Sequence, residues 1–182
     1  MKRLLSLLLT FSLAFSARAG DVKIAYAASS AVTITLDSLA SSSTFVAGRE
    51  STAVDNSTNK YIDFLLAGQI PQGTSPTTGK EIRVYVVGLS NDSTWPDVFD
   101  GTDSAETVTT TNILDSAARL AVVMNTTATS DEVNWFGPVS VASLFNGKVP
   151  LKWVAFVAHN TAVNLKSSGA VLSITPVYLT SN

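Results

Sequence analysis

The sequence contains no cysteine and a single histidine, His159. The missing cysteine excludes disulfide frameworks, cysteine-ligated zinc, iron–sulfur centres and thiol catalysis. One histidine rules out a multi-histidine metal site and leaves histidine catalysis a single candidate. Charge is scarce too. Charged residues make up 14% of the 182, with 12 basic against 14 acidic side chains and a formal charge of −2. Binding a nucleic-acid backbone needs a basic excess, so this balance argues against that role. Hydrophobic residues reach 46%. That share, with so little charge, argues against disorder and for one domain with its own core.

Residues 1–20 stand apart from the rest. Lys2 and Arg3 form a positive start, Leu4 to Phe15 an apolar stretch short for a bilayer, and Ala17-Arg18-Ala19 a small-residue cleavage pattern. The segment reads as a secretory leader or, if retained, as an apolar arm that needs lipid or protein to cover it. Its removal takes away Lys2, Arg3 and Arg18 and leaves nine basic against 14 acidic residues, a charge of −5. Residues 21–182 are expected to form a single domain, without internal repeat or dividing linker.

From Asp21 onward the hydrophobic pattern has period two. Val32, Ile34 and Leu36 alternate with Thr33 and Thr35; Ile62, Phe64 and Leu66 alternate with Tyr61 and Asp63. In Glu81–Val86, Ile82, Val84 and Val86 face in while Glu81 and Arg83 face out. Leu120–Met124, Leu151–Val157 and Val171–Tyr178 are further strands. Val22–Tyr26, Thr44–Ala47, Thr107–Thr111 and Val133–Phe136 carry a weaker pattern. Eight to ten short strands predict an all-β chain, an antiparallel β-sandwich or jelly roll. One or two short helices are expected: one from Asn112, as N-cap, through Arg119, and a single turn within Val139–Phe145 ended by Asn146-Gly147. Ile82, Val84, Val86, Trp153, Ala155 and Val157 are expected to share one core. Pro176 lacks a ladder donor, which predicts an edge strand or a bulge. Serine and threonine fill about a quarter of the chain, well above average usage.

Chemistry-bearing residues are few. No G-x-S-x-G elbow accompanies His159, so it reads as a strand-end histidine bonded to loop backbone. Asp97, Asp100, Asp103 and Glu106 form an acidic cluster that could offer oxygens to calcium, without EF-hand spacing; the plainer reading is a solvated loop with local caps and Asx turns. Paired carboxylates for glycoside hydrolysis would need a separation that sequence cannot supply. Among the tryptophans, Trp153 on an apolar strand reads as core, Trp95 beside Pro96 as the exposed one, and Trp135 as a third candidate for stacking sugars. Asn56, Asn91 and Asn125 match the glycosylation acceptor, a pattern that arises by chance in so Ser/Thr-rich a chain. The residues therefore assign no catalytic, cofactor-binding or metal-ligating group.

Four longer stretches, Leu39–Asn56, Pro96–Glu106, Trp135–Phe145 and Val157–Asn164, together resemble small virion structural proteins of tailed bacteriophages. The resemblance covers most of Val22–Tyr178. It implies a non-enzymatic β-sandwich subunit used many times in a particle, as head decoration or tail-associated protein. The expected partners are other copies and other virion proteins, met at loops and sheet edges, with neither nucleic acid nor cofactor. The leader suggests an alternative: an exported bacterial β-sandwich module, pilus-like or carbohydrate-binding, periplasmic or secreted. On the first reading the apolar N-terminal segment and the Trp95–Glu106 loop are expected to lie against neighbouring chains.

Overall fold

The computed structural model describes residues 21–181; the leader or arm assigned to residues 1–20 lies outside the described residues. Strand accounts for 43% and helix for 6%, so the chain is all-β, with two antiparallel sheets and two short helices.

The first sheet contains β1 (Val22–Tyr26), β2 (Ser30–Val32), β5 (Asp63–Pro71), β9 (Val133–Ser140) and β11 (Val171–Ser181). Its order is β1-β11-β5-β9, with β2 sharing the β1 side of β11. The second contains β3 (Ala47–Glu50), β4 (Val54–Asp55), β6 (Glu81–Gly88), β7 (Ala105–Thr107), β8 (Ala118–Asn125) and β10 (Lys152–His159). Its order is β7-β3-β10-β6-β8, with β4 also on β10. The helices α1 (Thr111–Ser116) and α2 (Val141–Leu144) each span little more than a turn.

Period-two alternation builds the main core. Ile82, Val84 and Val86 of β6 meet Trp153, Ala155 and Val157 of β10, all with no exposed surface. They pack against Phe64, Leu66, Ile70, Leu172 and Ile174 of the opposite sheet. Phe64 and Trp153 close the gap edge to face, ring centroids 5.7 Å apart. The expected shared core of the two central strands is present.

Alternation does not make the other face of β6 and β10 polar. Tyr85, Val87, Val154, Phe156 and Ala158 are buried as well, in a second core beneath the segment that runs from β6 to β8. That segment supplies Phe99, Val108 and Leu114, with Trp95 and Ile113 at its margin. Phe99 stands edge-on to Phe156 at 5.4 Å. Arg83, expected to face out, is half-buried, lies 3.8 Å from the centre of the Phe45 ring and pairs with Glu81 at 2.6 Å.

Three local expectations are corrected. Pro176 is not on an edge: β11 has β5 on one side and β1 and β2 on the other. The Pro176 carbonyl accepts from Ala27 N at 2.9 Å, so its nitrogen points the same way, into the break between Tyr26 and Ser30 where no donor is required. The strand expected over 31–36 stops at Val32. Helix α1 starts two residues early and ends at Ser116, short of Arg119, with Thr110 as an extended N-cap that makes no side-chain cap bond; Asn112 lies inside the helix, and its carbonyl accepts from Ser116 Oγ at 2.7 Å. By contrast α2 falls within the expected 139–145. Its N-cap Ser140 accepts from Ser143 N, and Asn146 and Gly147 follow with left-handed φ of 56° and 83°.

Candidate functional site

The acidic cluster is dispersed among separate structural tasks. Asp97 accepts from Thr109 N at 2.8 Å and Thr109 Oγ1 at 2.6 Å. Asp100 closes an Asx turn onto Thr102 N at 2.8 Å. Asp103 takes Arg49 Nε at 2.6 Å and both donors of Thr35. Burial works against its charge, but the Arg49 guanidinium and the Thr35 donors hold it below the usual carboxylate range. Glu106 accepts from Ser104 Oγ at 2.6 Å. No cluster of three metal-ligating side chains occurs among the described residues. The 95–106 loop roofs the chain's own second core.

Sequence reasoning passed over Glu50, the acid with the largest consequence. It sits on β3 with no exposed surface, and its carboxylate accepts from Gly101 N at 2.6 Å and Asp100 N at 3.2 Å. Burial pushes its pKa from 4.5 up to about 7, against the pull of those two amides and with the help of the nearby Asp100 and Glu106 charges. A signal was present: Arg49-Glu50 interrupts an otherwise apolar and small-residue stretch. Its partners, however, lie fifty residues away in sequence.

His159 ends β10 with no exposed surface. Its Nε2 donates to the Leu39 carbonyl at 2.9 Å. Thr161 Oγ1, also fully buried, lies 3.0 Å from Nδ1 and 2.9 Å from the Val163 carbonyl, and its one proton serves either acceptor. Burial lowers the imidazole pKa, opposed by the Leu39 bond. A hydroxyl beside an imidazole has the composition of a nucleophile and base, but this pair is sealed from any substrate and ties the 39–42 loop to the strand. Asn56 is likewise internal, bonded to both backbone groups of Tyr61, so its acceptor motif is closed in the folded chain.

The tryptophans are arranged differently from expectation. Trp153 is core, as expected. Trp95 packs on the second core, its ring 3.1 Å from where a side chain at Gly101 would begin. Trp135 is the exposed one, at 72%. It stands in a cross-strand row with Gln69 and Val171 on the outward face of the first sheet.

That outward face is the feature left unused by the fold. The second sheet is covered by the 89–117 segment; among the described residues the first has no such cover. Strand pairing puts Val22, Ile24 and Tyr26 on the same side as Leu179 and Val171, and Val133 and Trp135 share that side at the far edge. These are seven of the twelve large apolar side chains that are exposed among the described residues. Asp63 is the single charged side chain at the outward positions of these strands, and it is occupied by Ser140 Oγ, Ala142 N and Phe64 N. Beside Trp135 a hollow of about 350 Å³ opens over Ala67 and Gly68, bounded by Gln69, Val171 and Ser173. An apolar face without a free charge is suited to contact, not to proton transfer.

Comparison of the chain with protein-family models, with curated proteins and with solved structures finds no match.

Proposed function

We propose that the chain is a non-enzymatic structural subunit of a tailed-bacteriophage particle, a head-decoration or tail-associated protein that works through contacts with its own copies and other virion proteins. The observation that supports this best is the contrast between the two sheets. One is roofed by the chain itself; the other presents, among the described residues, an uncovered face with no free charge and many exposed apolar side chains. The polar groups that could have carried chemistry, His159, Thr161, Glu50 and Asp103, are bonded to the chain's own backbone and side chains. The phage assignment rests on the sequence resemblance alone.

The exported-module alternative is favoured by one observation, the exposed Trp135 beside a hollow on the sheet face, which is an arrangement able to stack a sugar ring. One experiment separates the two. Particles purified from the producing culture are analysed by mass spectrometry together with periplasmic and secreted fractions. The proposal expects the chain in the particle at a fixed ratio to the other structural proteins. Recovery in the exported fractions only, with Gly20 as its first residue, would overturn it in favour of the exported module.

A further inference from the structure

We infer that the outward face of the first sheet is a self-association surface, on which a second copy of this chain stacks through a two-fold axis. The inference rests on reading the chain as an assembling subunit, and it names the partner and the face.

Three features select a second copy as the occupant. The first is complementarity within one face. The hollow beside Trp135 lies at one end, where Val171, Gln69 and Trp135 form a row. The knobs Ile24, Tyr26 and Leu179, each more than half exposed, lie at the diagonally opposite end, where β1 pairs with the last residues of β11. A two-fold axis in the plane of the face, crossing that diagonal, brings each copy's knobs to the other's hollow. The second feature is charge. A face without a free charge, on a chain with a net negative charge, offers nothing to a basic or acidic partner but meets its own copy without repulsion. The third is area. The 36 strand residues of the first sheet, at about 3.4 Å each along strands about 4.8 Å apart, make a face of roughly 590 Å² in plan. Two copies then bury about 1,200 Å², the lower bound of a stable specific interface.

The test is sedimentation equilibrium of the purified chain over a range of concentrations, with hydroxyl-radical footprinting of Trp135 on the same samples. A dimer is expected, with Trp135 protected at high concentration and oxidised on dilution. Trp135→Arg and Ile24→Lys should each raise the dimer Kd by about thirtyfold or more, the size expected for an aromatic or aliphatic anchor seated in a pocket of the partner. Leu120→Lys, an exposed position on the other sheet, should leave it unchanged. All three positions are exposed, and a far-UV spectrum verifies that each variant is folded. A monomer at every concentration overturns the inference. So does protection of Trp135 that does not respond to dilution, which would mean that the chain's own first twenty residues cover the face. Loss of the dimer in Leu120→Lys but not in Trp135→Arg overturns it as well, by moving the contact to the other sheet. Each of these failures leaves the particle-subunit reading intact, because that is decided by recovery in purified particles.

Discussion

The Glu50 carboxylate accepts the Gly101 amide proton at 2.6 Å, and through this bond a strand of the second sheet holds the loop that roofs its outer core. Gly101 has φ of +84°, a conformation that glycine adopts without strain, and it leaves room for the Trp95 ring. The bond therefore joins a buried acid to a loop whose geometry depends on a residue without a side chain.

A pH dependence follows from the raised pKa. The folded chain binds the Glu50 proton more tightly than the unfolded chain does, so its contribution is full below about pH 4.5 and is lost as pH rises towards and beyond about 7. The shift from 4.5 to about 7 corresponds to up to about 3 kcal/mol. Glu50→Gln removes the titration while keeping an acceptor for Gly101 N. Urea denaturation of this variant between pH 5 and 8 should lack the decline; an unchanged profile would show that Glu50 does not titrate in this range.

His159 acts in the opposite direction over nearly the same range. Its lowered pKa means that the folded chain resists protonation, so its contribution is full above about 6.5 and is lost progressively as pH falls below that value towards the lower pKa of the folded chain. The two slopes partly cancel in the unaltered protein. His159→Gln should expose the Glu50 decline, and Glu50→Gln should expose stability that rises with pH up to about 6.5 and then levels off. Parallel denaturation series of the two variants test this; slopes of the same sign in both would refute the assignment.

Packing on the second core is testable apart from the first. Val84 lies in the main core and Phe156 in the outer one, both with no exposed surface. Val84→Ala should cost about 1–3 kcal/mol and Phe156→Ala about 3–5 kcal/mol. The larger cost is expected on the face that an ordinary sandwich would leave to solvent. A loss below about 1 kcal/mol for Phe156→Ala, measured by urea denaturation, would mean that the 89–117 roof is not closed in solution.

What could be read from the sequence was the part determined by local alternation. Ile82, Val84, Val86, Trp153, Ala155 and Val157 identified the inner face because period two fixes which side chains share a side. The same rule could not reveal the roof, since Tyr85, Val87 and Phe156 are buried by residues remote in sequence. Trp95 looked exposed because Pro96 and four acids surround it, yet Phe99 and Val98 turn that stretch onto the sheet. Trp135 and Pro176 depended on strand order: one is exposed because none of the described strands or loops lies over β9, and the other is tolerated because β1 and β2 part beside it. Strand order comes from long-range pairing, which no local pattern encodes.

Gly48 shows how closely neighbouring strands of the second sheet approach, and it supplies the most local test of the fold. It lies on β3 between β7 and β10. A side chain there would begin 2.6 Å from Phe156 Cζ and would also collide with the Val157 carbonyl. The ring could move at some cost to the outer core, whereas the carbonyl belongs to the central strand and could not. Gly48→Ala should therefore destabilise the chain by about 2 kcal/mol or more, in the range of overpacked cores. In a Phe156→Ala background the penalty should shrink but not vanish, because the backbone collision remains. A double-mutant cycle by urea denaturation reads both quantities. Additive costs would mean that the ring does not touch position 48, and a neutral Gly48→Ala would place β3 further from β10 than the structure does.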